Sequence, residues 1–272
     1  MIRQEMRDHL AALERAGYSQ ATIRERHRVL ATLPQDTLDL DREQVRAWWA
    51  SRFMVTGPDG EQRERSKRSL SGEGSHVREF WRWCRVEGLL SHNPADWLDR
   101  MRLPKTKARP VSEGDLWRLL RDAPLEMRRM IALAALAGLR SAEIAAVQWE
   151  DIDREAGVMR IRGGKGEKDR SVPLSSGLLS ELGEPGEGPI IGRRITGKRV
   201  SEQVGRFMRA AGVDLTAHKL RARYATRFLA ATGDAVATAE VLGHADLTNI
   251  MRYAVASSDT MRRGAEAAGR VG

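Results

Sequence analysis

Apolar residues recur at three- and four-residue intervals along most of this chain, with polar side chains filling the positions between them. That spacing gathers the apolar set onto one face of a helix. Up to residue 103 it predicts four helices. "MRDHLAALERAG" stops at Gly17, and "SQATIRERHRVLATL" opens on a Ser19 cap and ends before Pro34. "DREQVRAWWASRF" and "GSHVREFWRWCRVEGLL" follow the same logic. Between those two, "GPDGEQRERSKRSLSGEG" is polar and glycine-rich and reads as an exposed loop.

The pattern lapses at "MRLPKTKARPVSEGDL", where Pro104 and Pro110 bracket Lys105, Lys107 and Arg109. This reads as an exposed basic linker, residues 104–110, between a helical domain over 1–103 and a second domain over 111–272 that closes on a short C-terminal tail helix. Ser112 followed by Asp115 looks like the N-cap that opens the second domain. "EGDLWRLLRDA" and "EMRRMIALAALAG" continue as helices. One stretch breaks the helical period. In "GVMRIRGGKGEKDRSVPL", Val158, Arg160 and Arg162 alternate with Met159 and Ile161, a glycine-rich turn follows, and "RSVPL" returns. The expected fold is therefore mainly α, with a small antiparallel β-sheet or hairpin in a mostly helical second domain.

Composition narrows the classes. At 272 residues, 41% hydrophobic and 31% charged, the chain has ordinary globular balance and length for two cores. No stretch approaches the roughly 18 apolar residues of a membrane span. The N-terminal "MIRQEMRDHL" lacks the apolar centre of a signal peptide, so no membrane partner is expected. The single cysteine, Cys84, excludes an internal disulfide framework, fits a reducing cytoplasm, and reads as a packing residue. Five tryptophans lie before the linker and read as filling of a small helical core.

Charge changes the picture more. The net charge is +9, and a basic balance of this size favours a polyanion, nucleic acid first. Up to residue 103 there are 18 basic and 16 acidic side chains; the remainder carries 28 and 21, so the excess lies mostly in the second region. Arg63, Arg65, Lys67 and Arg68 in the polar stretch, with Lys105, Lys107 and Arg109 in the linker, are candidate phosphate contacts; solvation alone also accounts for them.

Several polar residues of the second region sit in tight turns or against apolar helices. Arg140 follows Gly138 in "LAGLRSAEIAAV", and Glu143 stands three residues on, placed to pair with it. Lys165 lies in the hairpin tip between glycines. His218 and Arg221 share a helical face in "AHKLRARYATRF", with Leu220, Tyr224 and Phe228 forming an apolar stripe. In "VLGHADLTNIMRY", Gly243 ends a helix, His244 occupies the turn and Tyr253 closes the segment. Arginine forks bind phosphate oxygens and stabilise phosphoryl transition states. A lysine or histidine moves protons, and a tyrosine hydroxyl makes covalent phosphoesters. Neither His218 nor His244 has a second ligand at metal spacing, so neither metal nor cofactor is expected.

The string "GLRSAEI…GGKGEKDRSVPL…HKLR…LGHADLTNIMRY" resembles the tyrosine recombinase (phage integrase) family in order, spacing and local sequence over roughly 105–255, and the helical first region looks like that family's core-binding domain. The resemblance implies a DNA strand transferase with type IB topoisomerase-like transesterification. Arg140 and Arg221 clamp the scissile phosphate. Lys165 protonates the leaving 5′ oxygen, and His218 and His244 hydrogen-bond the phosphate. Glu143 supports the arginines, and Tyr253 attacks to give a 3′-phosphotyrosyl link. It also implies double-stranded DNA with inverted-repeat core sites, a homotetramer joining two duplexes through a Holliday junction, and a directionality factor, in a host cytoplasm at the nucleoid. Ala222, Ile250 and Val255 depart from the family's usual residues at positions outside that catalytic set. The expected activity is phage or mobile-element integration and excision, without an arm-binding domain. The alternatives are Xer-type dimer resolution and a non-catalytic DNA-binding regulator.

Overall fold

The computed structural model describes residues 3–103, 110–163 and 169–243, which fall into two compact units, Met1–Lys105 and Thr106–Gly272. Lys105, Lys107, Arg109, Lys165, His244, Tyr253 and the expected tail helix lie outside the described residues.

The first unit builds its core from the predicted helices: α1 (Gln4–Arg15), α2 (Gln20–Leu30), α3 (Arg42–Ser51) and α4 (Lys67–Val86). Ser19 caps α2 by accepting from the Thr22 amide at 3.1 Å, and Asp41 and Gln44 form a reciprocal capping box on α3. Val29, Leu30, Val45, Trp48, Trp49, Phe80 and Trp81 are buried together, while Trp83 and Trp97 pack at the edge. The indole N–H groups of Trp48 and Trp81 are satisfied by the Thr32 and Thr37 carbonyls at 2.8 and 3.3 Å. These tryptophans are core, as their clustering suggested.

The polar stretch from 57 to 74 is not the loop expected. Its first half supplies the turn and second strand of a hairpin, β2 (Gln62–Glu64) pairing with the preceding β1 (Met54–Thr56), and its second half is the first two turns of α4. Ser66 caps that helix by accepting from the Ser69 amide at 3.1 Å, and Leu70 and Val77 bury one face. Glu73 is buried on the same helix and ion-paired to Arg52 at 2.6 Å and to Arg65. A core-facing glutamate erases the apolar period that marks a helix, because its partners come from elsewhere in the chain. Arg26 is likewise buried, donating to His9 Nε2 and His76 Nδ1, both at 3.1 Å. Burial first, and then the Arg26 charge, drives the His9 pKa down to about 4, so the imidazole is a neutral acceptor.

The second unit is arranged around α6 (Leu125–Leu136). Six successive residues of it, Met130 to Ala135, are buried, as expected of a helix covered on all sides. Helices α5 (Glu113–Asp122), α8 (Ser176–Leu182), α9 (Gly197–Ala210) and α10 (His218–Thr232) pack on it. Ser112 caps α5 as predicted, accepting from the Asp115 amide at 3.1 Å. Short α7 (Ser141–Ala146) packs against α9, and α11 (Ala235–Leu242) against α10. The predicted hairpin is present as β4 (Val158–Ile161) and β5 (Arg170–Pro173), with Met159 opposite Val172 and Ile161 opposite Arg170. A two-residue strand, β3 (Ile152–Asp153), adds an edge too short for any periodicity to reveal. Among the described residues no helix is long and apolar enough to cross a membrane.

Five of the seven tryptophans lie in the first unit, so their fluorescence reports its unfolding. Truncating the fully buried Phe80 to alanine (Phe80→Ala) is expected to destabilise that unit by about 3–5 kcal/mol, read as an earlier tryptophan transition in urea.

Candidate active site

Gly138, in the left-handed region at φ +68°, ends the helical run of α6 and turns the chain towards α7. A Cβ there would stand 2.5 Å from the Tyr224 ring, so the position requires glycine on both backbone and steric grounds. The turn sets Arg140 at the entrance to α7. Glu143, three residues on, accepts the Arg140 backbone N–H at 2.7 Å and the Arg140 guanidinium at 2.9 Å. The pairing expected from the sequence spacing is therefore present.

Two more arginines reach the same carboxylate. Arg170, at the start of β5, donates bidentately at 2.8 and 2.9 Å. Arg221 Nη1 lies 3.7 Å from Glu143 Oε2. Glu143 is enclosed, and this burial, the largest influence on its pKa, pushes it upward. The hydrogen bonds from Arg170 and the Arg140 backbone, with the Arg170 and Arg221 charges, outweigh burial and hold the carboxyl below its ordinary 4.5. Glu143 is thus an anion at neutral pH among three fixed cations, which leaves this end of the domain with excess positive charge.

The same guanidiniums bind the end of α11. Its last carbonyls have no partner inside the helix and sit at the negative pole. Arg170 Nε donates to the Val241 carbonyl at 2.8 Å, Arg221 to that of Leu242 at 2.6 Å, and Arg140 to that of Gly243 at 2.6 Å. Arg221 also donates to the Gly138 carbonyl. Gly243 closes the helix at φ +64°.

Arg140, His218 and Arg221 line one cavity of about 300 Å³, with Ser141 from α7 and Ser201 from α9 on its wall. Partial enclosure there, then the charges of Arg221 and Lys219, keep the His218 pKa below the ordinary 6.5, so the imidazole is neutral at pH 7. The cavity is thus lined by two guanidiniums and a neutral imidazole, groups whose chemistry suits an anionic phosphodiester.

The structure therefore brings Arg140, Glu143, His218 and Arg221 together from segments far apart in sequence. In the first unit, Arg63 pairs with Asp59, and Arg65 is tied to buried Glu73 and to the Arg52 carbonyl. Lys67 and Arg68 are exposed in the first turn of α4. Arg170 joins the Glu143 cluster although in the sequence it is an ordinary charged residue after a turn. No local signal marks it, because its partners Glu143 and Val241 stand far away in sequence.

Replacing Glu143 by glutamine (Glu143→Gln) leaves three clustered guanidiniums without their anion, and is expected to cost about 3 kcal/mol at pH 7. The folded-state pKa of Glu143 is depressed, so this contribution is complete above the ordinary carboxylate value and is lost as pH falls through the folded value below 4.5. Urea titrations of both proteins at pH 7 should differ by this amount, and the difference should close as pH is lowered through the folded-state value.

The phage integrase family profile matches residues 112–259, more than half the chain. The tyrosine recombinase XerC of Shewanella amazonensis is 31% identical over 208 residues, covering 69% of this chain and 70% of that protein. The tyrosine recombinase XerA of Thermococcus kodakarensis is 29% identical over 219 residues, covering 75% and 76%. Among solved structures, the Tn1549 transposon integrase in complex with a circular intermediate DNA superposes with a TM-score of 0.73 at 16% identity, covering 97% of this chain and 98% of that one. A lambda integrase tetramer bound to a Holliday junction gives 0.73 at 18%, covering 92% and 76%. Those two likenesses establish the mainly helical recombinase fold; the profile and the XerC identity establish the family. The chain belongs to the phage integrase family of tyrosine recombinases.

Proposed function

We propose that this protein cleaves and rejoins DNA strands through a covalent phosphotyrosine, with no metal or nucleotide cofactor. The observation that carries the reading is the convergence of Arg140, Arg221 and His218 on one cavity, organised around buried Glu143. Arg140 and Arg221 hold the two non-bridging oxygens of the scissile phosphate and neutralise charge that builds in the pentacoordinate transition state. Fixed guanidiniums take the part a metal ion plays in other phosphoryl-transfer sites.

Tyr253 Oη attacks phosphorus, forming a 3′-phosphotyrosyl bond as the bond to the 5′ oxygen breaks. Lys165 gives its proton to that leaving oxygen, while His218 and His244 hydrogen-bond the phosphate and assist removal of the tyrosine proton. A 5′ hydroxyl from a second duplex reverses the step, so ligation needs no external energy. Strand exchange then passes through a Holliday junction on two duplexes with inverted-repeat core sites, held by four protomers and steered by a directionality factor. Arg63, Lys67 and Arg68, with Lys105, Lys107 and Arg109, contact the phosphate backbone, whereas Arg65 braces the first unit from within. Within this chemistry we place the protein in integration and excision of a mobile element. Similarity to XerC and XerA favours a second reading, resolution of chromosome or plasmid dimers.

A library of nicked duplexes with randomised sequence, incubated with the protein and a chelator, tests the reading by recovery of denaturant-resistant protein–DNA adducts. Wild type and Tyr224→Phe are expected to give adduct and Tyr253→Phe none; an adduct from Tyr253→Phe assigns the nucleophile elsewhere. Binding to a recovered duplex should weaken steeply with salt, log Kd rising linearly with log salt at roughly 0.9 per phosphate contact. A flat response, measured by titration, contradicts the phosphate clamp.

A further inference from the structure

Arg170 lies outside the residues to which the reaction has been assigned, yet each of its three guanidinium nitrogens donates a hydrogen bond. Nη1 and Nη2 donate to the two oxygens of Glu143 at 2.8 and 2.9 Å, and Nε donates to the Val241 carbonyl at 2.8 Å. Its side chain is only 8% exposed. The group also lies against Gly243, where a Cβ would stand 3.0 Å from its Nη1 and 3.2 Å from its Cδ. One rigid planar cation thus joins the start of β5 to α7 through a carboxylate and to the end of α11 through a carbonyl.

Glu143 cannot orient its partners unless its own rotation is stopped. Oε1 accepts from Arg140 and Arg170 together, and Oε2 from the Arg140 amide and Arg170. Without the bidentate bond, the carboxylate is free to turn, and the Arg140 and Arg221 guanidiniums lose a common reference. The Val241 carbonyl also loses its donor, one residue before the carbonyls that those two arginines hold. Gly243 directly precedes His244 in sequence, so the end of α11 sets where the chain departs towards the proposed nucleophile. Lysine keeps the charge but is a single point donor and cannot serve the carboxylate fork and the carbonyl at once.

We propose that Arg170 is a positioning residue for strand cleavage: it sets the orientation of Glu143, and through it of Arg140 and Arg221, and anchors the end of α11, without touching DNA. The proposal rests on the assignment of Arg140 and Arg221 as phosphate ligands.

The test compares Arg170→Lys and Arg170→Gln with Arg223→Lys in the full chain. Arg223 also bridges elements, donating to Glu113 at 3.0 and 2.7 Å and to the Ala135 carbonyl at 2.9 Å, but stands outside the cavity. The probe is the nicked duplex recovered with wild type, with Kd and the single-turnover rate of adduct formation measured separately across pH. Arg170→Lys is expected to bind within about twofold of wild type and to form adduct on the order of 10²-fold more slowly, the scale of a small misplacement at a reacting centre. Its rate should also fail at higher pH on the acid side, because Glu143 then keeps only Arg140 from its own helix and Arg221 from α10. Arg223→Lys should retain the wild-type rate and profile. Adduct formation at the wild-type rate by Arg170→Lys or Arg170→Gln overturns the proposal, as does an equal loss in Arg223→Lys.

A second measurement needs no Arg170 variant. In wild type, the Arg170 Nε–H resonance should exchange slowly with solvent and stay in place when duplex is added, while those of Arg140 and Arg221 move. Movement of Arg170 with them makes it a DNA ligand and overturns the positioning role. If wild type gives no adduct with any duplex, the strand-transfer reading falls. The slow exchange of Arg170, and its loss in Glu143→Gln, still reports on the tie itself.

Discussion

A single buried carboxylate organises the catalytic unit. Glu143 draws Arg140, Arg170 and Arg221 to within ion-pair distance although they stem from α7, β5 and α10. Three guanidiniums do not gather in a partly dry space of their own accord, because mutual repulsion and desolvation both oppose it. An enclosed anion with four close donors reverses that balance. Once assembled, the cations are held in place before any ligand arrives, and preorganisation of this kind is the form in which electrostatic stabilisation is strongest.

The second constraint is the end of α11. Helices commonly satisfy their last carbonyls with water or with a following glycine turn. Here three consecutive carbonyls, at Val241, Leu242 and Gly243, each receive an arginine. Arg140 and Arg221, which line the cavity, and Arg170 behind them thus hold the end of α11, so packing of this unit and orientation of its cations are one problem. The two glycines at the joint are needed for different reasons: a Cβ at Gly243 would meet the Arg170 side chain, and one at Gly138 would meet Tyr224 and Leu242. A substitution at Gly243 therefore disturbs a cation of the site, and one at Gly138 disturbs the core.

The first unit stands on a separate core of tryptophans packed tilted and edge-on, with Phe80, and has two buried ionic sites of its own. Glu73 shares Arg52 and Arg65 across α3, the hairpin and α4, and Arg26 is divided between two neutral imidazoles. Both bind long-range partners in a small helical core, where apolar packing alone leaves helix register loosely specified. Part of the basic charge that a sequence reading offers to DNA is consequently spent inside the protein, Arg65 most plainly.

What the chain determined by itself was local. Helical spacing, the Ser19, Asp41 and Ser112 caps and the alternation at Val158–Ile161 are properties of neighbouring residues, and each corresponds to an element found in the fold. The pairing of Arg140 with Glu143 was legible for the same reason, since three residues at the start of a helix bring their side chains together. The motif order made the family recognisable. The helical start at Lys67 and the place of Arg170 were not legible. Glu73 and Arg170 are charged residues whose burial depends on partners at distant positions, and no local pattern distinguishes them from solvated ones. Only tertiary packing decided that three arginines would share one carboxylate and one helix end, because the free energy of a buried charge is set by what the fold places around it.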